Sequence, residues 1–457
     1  MRRALAALAV IAAAVAGAVW LADRPGSVAV TWQGWRLDTS VAVVALGAAF
    51  LVFAAAWLLA MLGRLGRAPG NFLRARRERR RRDGYRALTY GLSAAASGDT
   101  EEAERNAKRA QKLLDEPLTL LLSAQTAQLK GDEDGARRAF TAMLEKPETE
   151  FLGLRGLIAL AMRRGEEGVA AGLLERAHGL RPKAPFVLRA RYELAARAGR
   201  WDDADAALAE AARRKAIPAE EGRHHRAAIL LEQGRAAKAQ GRAGDALKLA
   251  RAAFETAPGL APATRWYADL LAAEGAKRRA RKALEKGWRT ASHPELAASY
   301  GALYADETPL ARVKRFERLL SLNPEAIEGR IALANAALQA RLWGEARRHL
   351  TAAGVAGGGA SPRLCQLMAE LEEAEHGDSG SARRWRERAA ASEAPDPAYQ
   401  CNACGYETRR WSALCPRCRG FDQLVWRKHP GRGEGFVPPE GASGLPAAAG
   451  SAIIPLS

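Results

Sequence analysis

Four of the five cysteines in this chain fall within eighteen residues, as Cys401-x2-Cys404-x10-Cys415-x2-Cys418. Paired C-x2-C knuckles at this distance are a strong metal signature, because each knuckle reverses the backbone so that both thiolates face one ion. Gly405, just after the first knuckle, supplies the permissive backbone that such a reversal needs. Four sulfur ligands suit zinc, or iron in a rubredoxin-like site. A complete ligand set with no open position makes a zinc ion structural rather than catalytic. The competing use of the same cysteines is a pair of disulfides, and the compartment decides between the two.

The compartment is read from the N-terminus. After Arg2 and Arg3 comes an uncharged apolar run over 4–22, and a second run covers 41–62. Each is long enough to cross a hydrocarbon core of about 30 Å as a helix. A cleaved signal peptide is the alternative for the first run, but a second span so close behind fits a helical hairpin. Behind the second run lie Arg64, Arg67, Arg74, Arg76, Arg77, Arg79, Arg80, Arg81, Arg82 and Arg86, against only Glu78 and Asp83. The positive-inside rule then places both termini in the cytoplasm and the loop 23–40 on the far side. In a reducing cytosol the thiolates are metal ligands and the disulfide reading falls away.

The same arginines account for much of the net charge of +19. Placed next to a span they face anionic headgroups, so Arg74, Arg76, Arg77, Arg79, Arg80, Arg81 and Arg82 are expected to bind the membrane surface rather than nucleic acid. The far-side loop carries Val28-Ala29-Val30-Thr31-Trp32 and Trp35-Arg36-Leu37 around Gln33-Gly34, which predicts a small β-hairpin.

Between the arginines and the cysteines the chain repeats. Gly98, Gly131, Gly165, Gly199, Gly241, Gly275 and Gly377 are each followed five residues later by alanine, at Ala103, Ala136, Ala170, Ala204, Ala246, Ala280 and Ala382. The first four glycines are 33, 34 and 34 residues apart, the tetratricopeptide period. Twelve residues past the glycine a small or apolar residue recurs, at Ala110, Met143, Ala177, Ala211, Ala253 and Ala389. Pro117, Pro182, Pro218, Pro258, Pro294 and Pro324 are expected to end the second helix of their units. A left-handed glycine turn, close alanine contacts and a proline stop describe a helical hairpin that buries its apolar face only by stacking. About nine such units fit. Two lack the turn glycine, with Glu307-Thr308-Pro309 and Arg341 in its place, and the long interval from Gly199 to Gly241 predicts an extended helix or insertion around 223–240.

Residue types that would do catalysis are scattered. His178, His224, His225, His293, His349, His376 and His429 form no H-E-x-x-H, and neither a phosphate loop nor a G-x-S-x-G elbow occurs. His224 and His225 diverge by about 100° on a helix and are expected on the surface of one repeat. Cys365 reads as a small buried side chain. Phe421, Trp411 and Trp426 are expected to cover the metal knuckles by packing.

Two apolar spans, an arginine-rich exit, tetratricopeptide-like units and a terminal Cys401-Asn402-Ala403-Cys404-Gly405 with Cys415-Pro416-Arg417-Cys418 and Phe421-Asp422-Gln423-Leu424-Val425-Trp426 resemble the HemY family of haem-biosynthesis-associated inner-membrane proteins. The resemblance implies a multi-pass protein of the bacterial inner membrane. It further implies a non-enzymatic scaffold late in protohaem synthesis, docking enzymes such as ferrochelatase, and it carries over no catalytic residues. The lipopolysaccharide assembly protein B type shares the plan with a single span, and implies an adaptor that controls envelope-lipid synthesis. A rubredoxin-like redox carrier is the enzyme-class alternative, decided by iron in place of zinc.

The expected architecture is all-α. Residues 1–63 hold two transmembrane helices, 4–22 and 41–62, with a short periplasmic loop; 64–83 is the arginine-rich segment; 84–395 is the solenoid; 399–427 is a four-cysteine zinc-ribbon or rubredoxin-like module; and 428–457 is a disordered tail. The solenoid is expected to dock partners in a groove, with the ribbon capping it or adding a second docking face.

Overall fold

The computed structural model describes residues 12, 15–17, 19–20, 26–32, 35–356, 360–377, 379–392 and 395–427. Most of the first expected span, 4–22, and the whole of the tail 428–457 lie outside the described residues, as does His429. The chain divides into two compact units, residues 1–89 with 109–115, and residues 90–108 with 116–457.

In the first unit, β1 (Ser27–Trp32) and β2 (Trp35–Ser40) pair antiparallel with Trp32 opposite Trp35, the hairpin that the alternating sequence predicts. The hairpin leads into helix α1 (Val41–Ala96), whose first N–H, on Val41, donates to the Gly26 carbonyl at 3.0 Å. Among the described residues one stretch, Val41–Leu59, is long and apolar enough to cross a membrane. Its Leu46, Phe50, Leu51, Val52, Phe53 and Leu59 are all exposed, an arrangement stable in hydrocarbon and unfavourable in water. The arginines 76, 77 and 79–82 are exposed further along the same helix, where Arg82 pairs with Glu78 at 3.3 Å.

The second unit takes in the end of α1 and, apart from residues 109–113, is built from the following helices in sequence-adjacent pairs. They are α2 (Thr100–Leu113), α3 (Pro117–Lys130), α4 (Glu133–Met143), α5 (Pro147–Arg164), α6 (Glu167–Leu180), α7 (Pro185–Arg197), α8 (Trp201–Arg213), α9 (Ala219–Ala239) and α10 (Ala243–Thr256). The series continues with α11 (Ala261–Ala273), α12 (Lys277–Thr290), α13 (Pro294–Ala302), α14 (Pro309–Ser321), α15 (Ile327–Gln339), α16 (Trp343–Ala352), α17 (Pro362–His376) and α18 (Ser379–Ala391). The fold is an α-helical repeat with a small β-module at its C-terminal end.

The repeat chemistry is visible at atomic scale. All seven turn glycines have φ between +62° and +79°, a region that L side chains reach only with strain. The seven alanines that follow them are fully buried, each with 0 % exposure, which is what allows the two helices of a hairpin to touch along their backbones. First helices also stack on first helices, as α9 on α11, α11 on α13 and α13 on α15. Proline acts differently from the expectation. Pro117 and Pro294 are the first residues of α3 and α13, and Pro218 caps α9, so proline starts the next helix where its missing N–H costs nothing.

The irregular units follow from their residues. Arg341 adopts φ +58° and makes the turn without glycine. At the other glycine-less turn, the Thr308 hydroxyl accepts from the Ala311 N–H at 3.3 Å, capping α14, and the preceding α13 is only 9 residues long. The long interval from Gly199 to Gly241 is taken up by α9, which at 21 residues is an extended helix.

Candidate metal centre

The C-terminal module is a three-stranded sheet, β3 (Ala398–Cys401), β4 (Glu407–Thr408) and β5 (Leu424–Arg427), with β3 in the middle. Two knuckles hang from it with nearly the same backbone pattern. In the first, the Gly405 N–H donates to the Cys401 carbonyl at 2.9 Å and the Cys401 N–H to the Tyr406 carbonyl at 2.9 Å; in the second, Arg419 donates to Cys415 at 2.8 Å and Cys415 to Gly420 at 3.0 Å. Both reversals need a left-handed residue five positions into the knuckle. Gly405 takes φ +71° freely, while Arg419 at +55° does so against its Cβ.

These turns bring the four Sγ atoms within 4.8 Å of one another. Cys401 and Cys418 are 3.6 Å apart, and Cys404 and Cys415 are 3.7 Å apart. Four thiolates about 2.3 Å from a tetrahedral ion stand about 3.8 Å from each other, so the set fits a metal of that size with side-chain shifts of about 1 Å or less. A hydrogen bond from the Cys401 thiol lowers Cys418 to about 5, and the same bond pushes Cys401 far up, while burial raises Cys404 to about 11. Without a cation Cys401 and Cys404 therefore hold their protons, and a metal at the centre is what would release them. Cys365 is a separate, fully buried side chain on α17, as its apolar neighbours indicate.

The module does not sit at the end of the array. It rests on the first helices of the middle hairpins, and one continuous apolar core joins Tyr399, Trp411, Phe421 and Leu424 to Leu188, Tyr192, Leu231 and Leu260. Phe421 packs against Tyr192 at 6.4 Å, Trp201 at 6.4 Å and His225 at 5.4 Å between ring centroids. Trp426 meets the ring of His293 at 4.4 Å, and Trp411 lies under the Arg235 guanidinium at 5.9 Å. The three aromatics do pack, as expected, but they grip the repeats as well as filling the ribbon.

At the centre of this seat is a polar contact that corrects the surface reading of His225, which is buried, and gives a partner to His224, which is exposed as expected. Asp422, whose side chain is wholly buried, accepts from His224 Nδ1 at 2.7 Å and from His225 Nδ1 at 2.9 Å, both on the same carboxylate oxygen. The 100° between adjacent helical side chains does not prevent this, because Asp422 stands over the sector between them and Nδ1 lies close to the backbone of each. His225 Nε2 continues to Glu221 at 3.4 Å, and Glu221 to Arg189 on α7 at 2.9 Å, so a line of alternating charges runs from the ribbon through α9 to α7.

Burial works against protonating His225, yet the Asp422 and Glu221 carboxylates raise it to about 9. The Asp422 charge also raises His224, and the two imidazoliums hold Asp422 well below the usual carboxylate range although burial acts the other way. His293 is the opposite case. Burial, with Arg265 adding to it, lowers it to about 4, and the neutral ring accepts from the Glu295 N–H at 3.2 Å while packing on Trp426. A third contact is made by Arg419, which donates to the Arg197 carbonyl and pairs with Glu167 at 3.2 Å. The other described histidines, His178, His349 and His376, lie on separate helices, α6, α16 and α17.

With the geometry in place, the chain can be set beside known proteins. Residues 26–131 match the family described as the HemY protein N-terminus. Over that stretch the chain is HemY-like. Residues 399–425 of this HemY-like chain match the rubredoxin metal binding domain of the LapB-type zinc ribbon, which places both knuckles inside the match. A probable magnetosome protein, Mms48, of Magnetospirillum gryphiswaldense is 28% identical over 439 residues, 92% of each chain. Protein HemY of Escherichia coli K12 is 26% identical over 186 residues, 40% of this chain and 46% of that protein. A tetratricopeptide repeat protein of known structure from Parabacteroides merdae is 16% identical, with a TM-score of 0.33 over 56% of this chain and 99% of its own.

Proposed function

We propose that this HemY-like chain is a membrane-held, non-enzymatic scaffold whose repeats dock other proteins, acting late in protohaem synthesis on enzymes such as ferrochelatase. The observation that carries the reading is the HemY N-terminal match over residues 26–131, which joins the apolar stretch Val41–Leu59 to the first repeats. In this reading the chain crosses the inner membrane twice, both termini are cytoplasmic, and Arg74, Arg76, Arg77, Arg79, Arg80, Arg81 and Arg82 meet anionic headgroups. Zinc bound by Cys401, Cys404, Cys415 and Cys418 keeps the ribbon folded and does no chemistry on a substrate.

The ribbon changes where a partner can bind. The face formed by α7, α9 and α11 is covered by Phe421, Asp422 and Leu424. A partner protein therefore docks on another stretch of the array, or on a surface that includes the ribbon. Tethering supplies the rest, since holding a partner-binding array at the bilayer raises its effective concentration toward membrane enzymes.

The test is complementation of cells lacking the protein by the full chain or by a chain lacking residues 1–62. Porphyrin precursors should accumulate with the deletion and fall to normal with the full chain. Full rescue by the untethered chain would sink the tethered scaffold. The ribbon match favours a second reading, an adaptor controlling envelope lipids, and altered envelope lipid with normal porphyrins would select it.

A further inference from the structure

Helix α12 (Lys277–Thr290) differs from every other second helix of the array in its charge. It carries Lys277, Arg278, Arg279, Arg281, Lys282, Lys286 and Arg289 against a single acid, Glu285, which is buried. At 100° per residue, Arg278, Arg279, Lys282, Lys286 and Arg289 fall within a sector of about 100°, on the side opposite the buried Ala280, Leu284 and Gly287. All five are exposed. Among the described residues Arg278, Arg279, Lys282 and Arg289 have no carboxylate within ion-pair distance, and the one buried acid already serves Arg318 at 3.1 Å and Arg281 at 3.7 Å.

Like charges at Arg278–Lys282 and Lys282–Lys286, four residues apart, and at Lys286–Arg289, three apart, destabilise a helix. Like-charge neighbours occur on other second helices too, as Lys314–Arg318 on α14, but in those helices acids offset more of the cations. On α10, Arg251 pairs with Glu255 at 2.8 Å and Lys248 with Asp245 at 3.6 Å, and α8 opens with Asp202 and Asp203. A stripe kept cationic against its own repulsion fits an anionic partner.

We propose that the α12 stripe is a contact surface for anionic phospholipid headgroups, separate from the arginine segment of α1. Lys and Arg at a spacing of one helical turn meet a laterally mobile field of phosphates without needing a shaped pocket. The stripe has no exposed aromatic ring on which a nucleic-acid base would stack, and no apolar groove that would seat a partner helix. The proposal rests on the membrane attachment argued above, which supplies the nearby bilayer.

The test uses the full chain reconstituted in nanodiscs of phosphatidylcholine alone, or with about one third phosphatidylglycerol, and reads the rate at which Lys282 and Lys286 are acetylated, with Lys248 on α10 as the reference. In the anionic discs both lysines should react roughly fivefold more slowly than in the neutral ones, and about 0.5 M salt should remove the difference. The double variant Arg278→Gln, Arg289→Gln, checked for an unchanged helical signal, should lose most of that protection. Equal rates in the two lipids, protection indifferent to salt, or protection seen only after an acidic protein is added would each overturn the proposal. Loss of the chain from the discs in an alkaline wash would fail the anchoring reading, whereas retained chain with unprotected lysines fails the stripe alone.

Discussion

The repeats and the ribbon both hold sharp backbone reversals in place, and they do it with opposite resources. Seven of the repeats use a glycine at positive φ and an alanine with no exposed surface, small contacts made between neighbours in sequence and multiplied along the array. The ribbon has four cysteines, one buried carboxylate and a few large rings, and its main contacts reach helices some 200 residues back. Stability in the array is therefore distributed, and no single turn decides whether it folds. Stability in the ribbon is concentrated, and a few atoms decide it.

Removing the ribbon's centre should show this contrast most strongly. Replacing Cys401 or Cys418 with serine, or stripping the metal with a chelator, should abolish binding of close to one equivalent of zinc and unfold the module. Binding free energies of roughly 10–16 kcal/mol in small zinc domains make this the largest effect available. Because the ribbon shares its core with Tyr192 and Leu231, amide exchange should rise on α7 and α9, while α3 to α5 keep their protection. Unchanged metal content would show that these cysteines are not the ligands, and stoichiometric iron with a visible thiolate band would replace zinc.

The next two changes leave the metal and attack the seat. Phe421→Ala empties the space between Tyr192, Trp201 and His225 and should cost about 4 kcal/mol of the ribbon's docking free energy. Asp422→Ala leaves the buried His225 imidazole with Glu221 alone and takes the carboxylate from the exposed His224, and should cost about 3 kcal/mol, less at alkaline pH where the imidazoles shed their protons. Both are read as faster exchange of α9 amides with zinc retained. An equal effect from alanine substitution of a solvent-facing ribbon residue such as Arg409 would show that the seat has no such focus.

The same seat sets a pH dependence whose sign differs for its two histidine contacts. His225 is raised to about 9 from an ordinary value of about 6.5, so its contribution is complete below about pH 6.5 and is lost as pH climbs through 9, at most about 3 kcal/mol. His293 is lowered to about 4, so its contribution is complete above about pH 6.5 and is lost as pH falls toward 4. Asp422, held low, keeps its charge throughout that acid range. Docking should peak near pH 6–7, and His225→Gln should flatten only the alkaline side, as followed by exchange or by the fluorescence of Trp201. An alkaline limb that persists in His225→Gln would assign it to another group.

The difference in resources also governs what can be read from residues alone. The glycine turns and buried alanines recur within 34 positions, so their pattern is a local one that a single chain displays repeatedly. The knuckles are likewise local. The joining of Asp422 to His224 and His225 is not, because nothing near either partner encodes a contact across nearly 200 residues. Its one trace was the stretched interval that became α9, an extra length of helix carrying both histidines. Adjacent histidines on a helix look like a poor ligand pair until the third group is known to sit between them.

The smallest effect tests the distributed side of the comparison at its exceptional turn. Arg341 stands at φ +58° where seven other turns have glycine, and an L side chain in that region costs about 1 kcal/mol. Arg341→Gly should therefore stabilise the α15–α16 hairpin by somewhat under that amount, since glycine also loosens the unfolded chain. The converse change, Gly275→Ala at φ +78°, meets no neighbouring atom, so its cost of about 1 kcal/mol is pure backbone strain. The pair is read by local amide exchange on α15 and α11. If Arg341→Gly destabilises as much as Gly275→Ala does, the arginine side chain holds the turn by contacts that outweigh its strain, and the array is less uniform than its alanines make it.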